Sequence, residues 1–149
     1  MKLTEKLKWG YDVKTNWFRS VLRIVLGSFL LFAGTSHLTI SRLEFVAQVP
    51  PWVPLPVDLV VVLSGIVEIS LGLSLVFLPK WKGLVGWIVA LFFVLIFPGN
   101  ISQYVNQISA FGLDTDRARF IRLFFQPLLV VWALWSTGAF RAYANRNQK

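Results

Sequence analysis

VDLVVVLSGIVEISLGLSLVFL, residues 57–78, is the stretch that decides the fold. Its only acids are Asp58 at the start and Glu68 near the middle. At roughly 1.5 Å per residue, about 20 helical residues match a hydrocarbon layer of ~30 Å, so this run is long enough to cross a bilayer. Ionising a carboxyl near the midplane costs several kcal/mol, so Glu68 needs a reason to be there.

Three further apolar blocks flank this one, at about 19–37, 83–101 and 120–140. Hydrophobic residues make up 56% of the 149, above the roughly 45–50% of ordinary soluble domains. The pattern predicts an all-α membrane protein, a bundle of four transmembrane helices spanning 19–140. A basic interfacial leader, 1–18, precedes it and a basic tail, 141–149, follows.

The net charge of +8 does not point to nucleic acid, because the charges flank the apolar blocks. Lys2, Lys6, Lys8, Lys14 and Arg19 precede the first block, Lys80 and Lys82 join the second to the third, and Arg141, Arg146 and Lys149 follow the fourth. The other two connections carry only Arg42, and Arg117 with Arg119. The positive-inside rule then places both termini in the cytoplasm, as expected in a bacterial inner membrane. Trp17, Trp81, Trp87 and Trp135 fall near the inner boundary and Trp52 near the outer one. The first block holds Arg23 and has no small-residue cleavage site, so it reads as a retained anchor. The chain has no cysteine, which removes disulfide, thiol redox and iron–sulfur chemistry.

Helical spacing assigns faces. Arg23, Gly27, Leu30, Gly34 and His37 share one side of the first helix. Ser64, Gly65, Glu68 and Gly72 share a face of the second. Paired glycine stripes let two helix backbones approach closely, a common packing device in membranes. The third helix is expected to break at Pro98-Gly99, leaving Asn100 as a helix-end cap. In the fourth, Gln126, Val130, Ala133 and Thr137 line one stripe below Arg119 and Arg122, and Pro127 should bend it. Residues 49–56, VPPWVPLP, are too rich in proline for a helix and form a stiff loop, either a connector or a lid. LFAGTSH, 31–37, and IFPGNIS, 96–102, form a short internal echo that suggests a duplicated two-helix unit.

With this topology the intramembrane polar residues collect in the outer half. His37 and Asn100 lie high, Gln126 about two turns down, and Glu68 deepest, with Ser64 a turn above it. The expected ligand-binding set is His37, Ser64, Glu68, Asn100, Arg122 and Gln126, with Phe97, Phe124 and Phe125 along the approach. An acid beside an imidazole suits proton exchange with a lipophilic ligand. The alternative is a structural network whose hydrogen bonds brace the bundle at ~0.6 kcal/mol each. One histidine is too few for bis-histidine haem, and the cluster is short of ligands for a metal, so no covalently bound cofactor is expected.

Four motifs together resemble the DoxX-like family of small bacterial membrane proteins: R-x-x-L-G at Arg23–Gly27, G-x-x-H at Gly34–His37, G-x-x-E at Gly65–Glu68 and F-P-x-N at Phe97–Asn100. The resemblance spans about 19–140 and implies a four-helix membrane bundle. Relatives include membrane subunits of thiosulfate:quinone oxidoreductases and organisers of oxidative-stress enzymes, while eukaryotic relatives resemble receptor-assembly chaperones and cargo receptors. The expectation is a membrane subunit, not catalytic by itself, that binds a quinone-like or other lipophilic molecule and serves redox or stress-response partners. The alternative is a scaffold or assembly chaperone that contacts a protein partner or a second copy of itself.

Overall fold

A computed structural model describes residues 8–146; the expected leader residues 1–7 and tail residues 147–149 lie outside the described part. Among the described residues 77% are helical and there is no strand. The long helices are α1 (Trp17–Leu38), α3 (Val57–Phe77), α4 (Lys82–Val105) and α5 (Asp116–Ser136). Two short ones, α2 (Arg42–Gln48) and α6 (Ala139–Ala144), follow α1 and α5. All four long helices are long and apolar enough to cross a membrane.

Local chemistry sets the ends. Asn16 Oδ1 accepts from the Arg19 amide at 2.9 Å and starts α1; Thr115 Oγ1 accepts from the Ala118 amide at 3.1 Å and starts α5. The last helix therefore begins a turn before the expected residue 120, where a hydroxyl satisfies a first-turn N–H. It stops at Ser136 rather than near 140, because Gly138 takes a left-handed φ of 71° that ends the turn and starts α6.

At the other end of α3, Pro79 has no N–H to offer the Leu75 carbonyl four residues back. The buried Arg23 guanidinium donates to that carbonyl instead. A cation at the negative end of the helix dipole is thereby placed where it stabilises α3.

The expected break in the third helix does not occur. α4 runs unbroken through Pro98 and Gly99 to Val105. Proline does cost the hydrogen bond to the Val94 carbonyl. Neighbouring elements hold the segment in helical form nonetheless. Gln126 Nε2 donates to the Phe93 carbonyl at 2.8 Å, and Gly99 lies against the Gln48 carbonyl. Asn100 is thus a buried side chain within a helix, not a helix-end cap.

The helices form two antiparallel hairpins, α1–α3 and α4–α5, set side by side, with α3 beside α4 and α5 beside α1. The glycine stripes make the first hairpin. A Cβ on Gly27 would lie 2.9 Å from the Gly72 carbonyl oxygen, and one on Gly34 would lie 2.8 Å from that of Gly65. Both are too short for anything larger than hydrogen. In the second hairpin Thr137 packs directly on Gly86, and Trp87 Nε1 donates to the Ala139 carbonyl at 3.1 Å.

The hairpins pack tightly on one another only in the half nearest the chain ends, here the terminal end. There Leu26, Leu30, Leu71, Leu75, Val85, Val89, Phe92, Phe93 and Ala133 form one buried cluster. Residues 8–15, expected as a surface leader, fold back on this end: the Asp12 amide donates to the Lys80 carbonyl at 2.6 Å, and Lys82 Nζ donates to Thr15 Oγ1 at 2.8 Å. In the opposite half, the loop end, a cavity separates the hairpins, roofed by α2 and by loop 106–115.

Candidate functional site

The loop-end cavity has a volume of about 630 Å³. All six side chains expected to meet, His37, Ser64, Glu68, Asn100, Arg122 and Gln126, line it. Ser64 and Arg122 are partly buried and the other four are buried. The remaining wall is mostly apolar, so a few polar groups are set into a lipophilic chamber, as in most small-molecule sites.

The polar groups form two clusters, one on each hairpin. On the first, His37 Nδ1 lies 3.4 Å from the Val61 carbonyl, which can only accept. That contact places a proton on Nδ1 and turns Nε2 toward Glu68, whose Oε2 is 3.3 Å away. The approach is close but outside hydrogen-bonding geometry. Glu68 Oε2 consequently has no hydrogen-bond partner, and the residue is 5% exposed. The pair has two forms, neutral acid with neutral imidazole or carboxylate with imidazolium, which differ in the place of one proton.

On the second hairpin a directed chain crosses from α5 to α4 and back. Arg122 Nε donates to Asn100 Oδ1 at 3.3 Å, Asn100 Nδ2 to Gln126 Oε1 at 3.0 Å, and Gln126 Nε2 to the Phe93 carbonyl. Asn100 and Gln126 each use both ends of the amide within this chain. No carboxylate pairs with Arg122 among the described residues, and its two Nη groups make no hydrogen bond there.

Aromatic rings span the loop end between the clusters. Phe45 of α2 stacks on His37 with centroids 3.4 Å apart, and its ring meets that of Phe111 edge-on at 4.7 Å. The Arg122 guanidinium lies 5.3 Å from the Phe111 centroid. Three contacts fix the roof: Glu44 Oε2 accepts from the Phe111 amide at 2.5 Å, Gln48 Nε2 donates to Gln103 Oε1 at 2.7 Å, and Gln103 Nε2 donates to the Ala110 carbonyl at 3.3 Å. An exposed ion pair, Arg42 with Asp58 at 2.6 Å, ties α2 to the start of α3 and holds the Arg42 guanidinium above its ordinary range. Pro50, Trp52 and Val53 of the proline-rich loop also line the cavity.

The chain belongs to the family described as Domain of unknown function (DUF8561). That family matches residues 26–137, from the first glycine stripe to the threonine packed on Gly86. Every residue of both polar clusters and the whole roof fall inside the matched span. No curated protein and no solved structure matches the chain.

Two expectations about the site need correction. Phe97, Phe124 and Phe125 do not line the cavity; Phe29, Phe45, Phe92, Phe93 and Phe111 are the phenylalanines that do so alongside Phe32. Phe124 and Phe125 are more than half exposed, since residues one or two places from Gln126 on a helix point away from its face. Arg119, expected beside Arg122, serves the loop instead, donating to the Leu113 carbonyl at 2.7 Å and to Asp116 Oδ1 at 2.9 Å. The roof residues Phe45 and Phe111 were missed because they lie 66 positions apart, one in a seven-residue helix and one in a loop, segments too short for a helical period to expose them.

Proposed function

We propose that this is an integral protein of the bacterial cytoplasmic membrane that holds a quinone-like or other lipophilic molecule in the loop-end cavity. Both ends of the chain lie in the cytoplasm and the cavity lies in the outer half of the bilayer. Support for insertion comes from the outward faces of the bundle. Leu63, Ile66 and Leu73 of α3, Leu91 and Leu95 of α4, and Leu128 and Val131 of α5 are all exposed, which water would penalise and hydrocarbon would not. The orientation rests on the lysines and arginines gathered at the terminal end.

The observation that carries the ligand reading is Glu68. A buried carboxyl short of partners is costly, and this one lines an apolar-walled chamber large enough for a small molecule, with the His37 imidazole 3.3 Å from its Oε2. A ligand hydroxyl or carbonyl meeting that acid completes it. In this reading Glu68 and His37 exchange one proton with the ligand's polar head, while Arg122, braced by Asn100 and Gln126, fixes the head's orientation. Ser64 supplies a hydroxyl one turn above Glu68. The chain has no redox centre of its own in this reading and serves redox or stress-response partners, as the resemblance to DoxX-like proteins implies.

One observation favours the scaffold reading for the second hairpin. The Arg122–Asn100–Gln126–Phe93 chain is complete among its own members and joins α4 to α5 without a ligand. Native mass spectrometry of the protein released from lipid nanodiscs separates the readings. A bound lipophile near one per chain, whose retention and pH dependence change in Glu68→Gln, supports the ligand site. Equal adducts in both forms, or a co-purified polypeptide in place of a small molecule, support the scaffold.

A further inference from the structure

Resting on the ligand reading above, we infer that the cavity is loaded sideways from the hydrocarbon, by an amphiphile whose head presents hydrogen-bond acceptors to Arg122 and whose chain trails out between the hairpins. Three observations meet here. The first is the roof. The rings of Phe45 and Phe111 lie against His37 and Arg122, and the Glu44–Phe111 and Gln48–Gln103–Ala110 bonds fasten them. The straight route from the loop end to the polar clusters is therefore covered by aromatic rings.

The second observation is the flanks. Phe29 and Phe32 of α1 and Leu95 of α4 line the cavity and are also 54%, 66% and 66% exposed. Such side chains mark where the chamber lies at or close to the outer surface of the bundle, and Trp52 of the proline-rich loop, 69% exposed, marks a further such place beside the roof. On the helical period Phe32 sits on the side of α1 opposite the glycine stripe, and Leu95 sits on the side of α4 opposite Gly86 and Ala90. The chamber thus runs out toward the lipid on two sides, below the roof and above the tightly packed cluster around Leu30, Phe92 and Phe93.

The third observation is the chemistry of the ends. The openings are apolar. The interior offers the Arg122 guanidinium, which bonds a described residue through Nε, and the Glu68 carboxyl, both in the cavity wall. A water-soluble anion would meet the polar groups but gain nothing from Phe29, Phe32 and Leu95. A pure hydrocarbon would leave Arg122 and Glu68 unpaired. A head with acceptor oxygens on a long apolar chain satisfies both ends, and a bilayer supplies such molecules in the plane of the openings.

The chain has no cysteine, so introduced thiols are unique labels. The test uses the full chain in nanodiscs, with tritiated decylbenzoquinone as the probe. Both flanks are closed together in Phe32→Cys/Leu95→Cys by benzyl methanethiosulfonate. The roof is labelled separately in Leu43→Cys, on the outer face of α2 and 84% exposed, with a charged, membrane-impermeant methanethiosulfonate. Val131→Cys, on an exposed face away from the cavity, is the control. Exchange of bound probe should slow tenfold or more in the flank variant, recover when dithiothreitol removes the label, and stay unchanged in the control and the roof variant. Slowing in the roof variant with none in the flank variant would overturn lateral loading while leaving the ligand site standing. A tailless dimethoxybenzoquinone retained as well as the decyl probe would overturn the role of the chain. Failure of the unmodified protein to retain either probe would overturn the site and its portals together.

Discussion

Replacing one glycine in the α1–α3 seam should separate packing from ligand binding, because the seam touches at two levels and only one adjoins the site. A Cβ on Gly27 would sit 2.9 Å from the Gly72 carbonyl oxygen, and one on Gly65 would sit 2.9 Å from His37 Cβ and 3.0 Å from the Gly34 carbonyl oxygen. Ordinary contact begins near 3.4 Å, so either alanine needs the hairpin to open by about 0.5 Å. Overpacking of this kind costs about 1–3 kcal/mol, and the helix preference of alanine over glycine returns up to ~1 kcal/mol. A net loss of about 1 kcal/mol is expected for each. The consequences for the site differ. At Gly65 the displaced neighbour is His37 itself, and moving its Cβ by about half an ångström lengthens the 3.3 Å approach of Nε2 to Glu68 by up to that much. At Gly27 the disturbance falls on Gly72, Leu75 and Val76, in the packed half.

Thermal unfolding in one detergent, followed by tryptophan fluorescence, should show similar losses for Gly27→Ala and Gly65→Ala. Retention of decylbenzoquinone should fall about tenfold only in Gly65→Ala, since sub-ångström misplacement of a positioned group is enough to cost that much. Equal retention in the two variants would refute the link between the seam and the His37–Glu68 pair. Unchanged stability in both would refute the close approach of the helices.

Three further outcomes are expected. Glu68→Gln keeps the size of the side chain but not its acidity, so the fold should persist while the pH dependence of probe retention flattens; a retention profile identical to the unmodified protein would remove Glu68 from the site. Arg23→Ala leaves the Leu75 carbonyl without a donor and should lower stability by about 1–3 kcal/mol without touching retention, because hydrogen bonds from charged groups are worth about that much; full stability in Arg23→Ala would deny the capping role. A reporter fused after Lys149 should be active only in the cytoplasm, and activity in the outer compartment would reverse the orientation.

Much of the architecture was legible because it is periodic. Hydrophobic length gives four long apolar helices, a 3.6-residue repeat puts Gly27 with Gly34 and Gly65 with Gly72 on packed faces, and counting turns along antiparallel helices brings His37, Ser64, Glu68, Asn100, Arg122 and Gln126 to one end. None of these steps needs to know what lies across the molecule. The roof does. Glu44 and Phe111 are joined by one side-chain to backbone bond, and Phe45 reaches His37 only because α2 folds back after a short turn. Such contacts follow from the shape of loops and carry no repeating signature.

Pro98 shows how the two kinds of information interact. Local rules end a helix there, and by those rules Asn100 becomes a cap beyond the spanning segment. In the structure the helix continues, so Asn100 stays in phase with Phe93 and Phe92 and faces Gln126 at 3.0 Å. Had the helix broken, Asn100 could not hold Arg122, and the guanidinium would lose the hydrogen bond that fixes it beside the cavity. Gln126 is the residue that reconciles the conflict. One end of its amide bonds the Phe93 carbonyl, a residue before the carbonyl that proline leaves free, and the other accepts from Asn100. The place where the local rule is overridden is also a wall of the candidate site, as expected when a segment is held against its own preference by the groups that build a function.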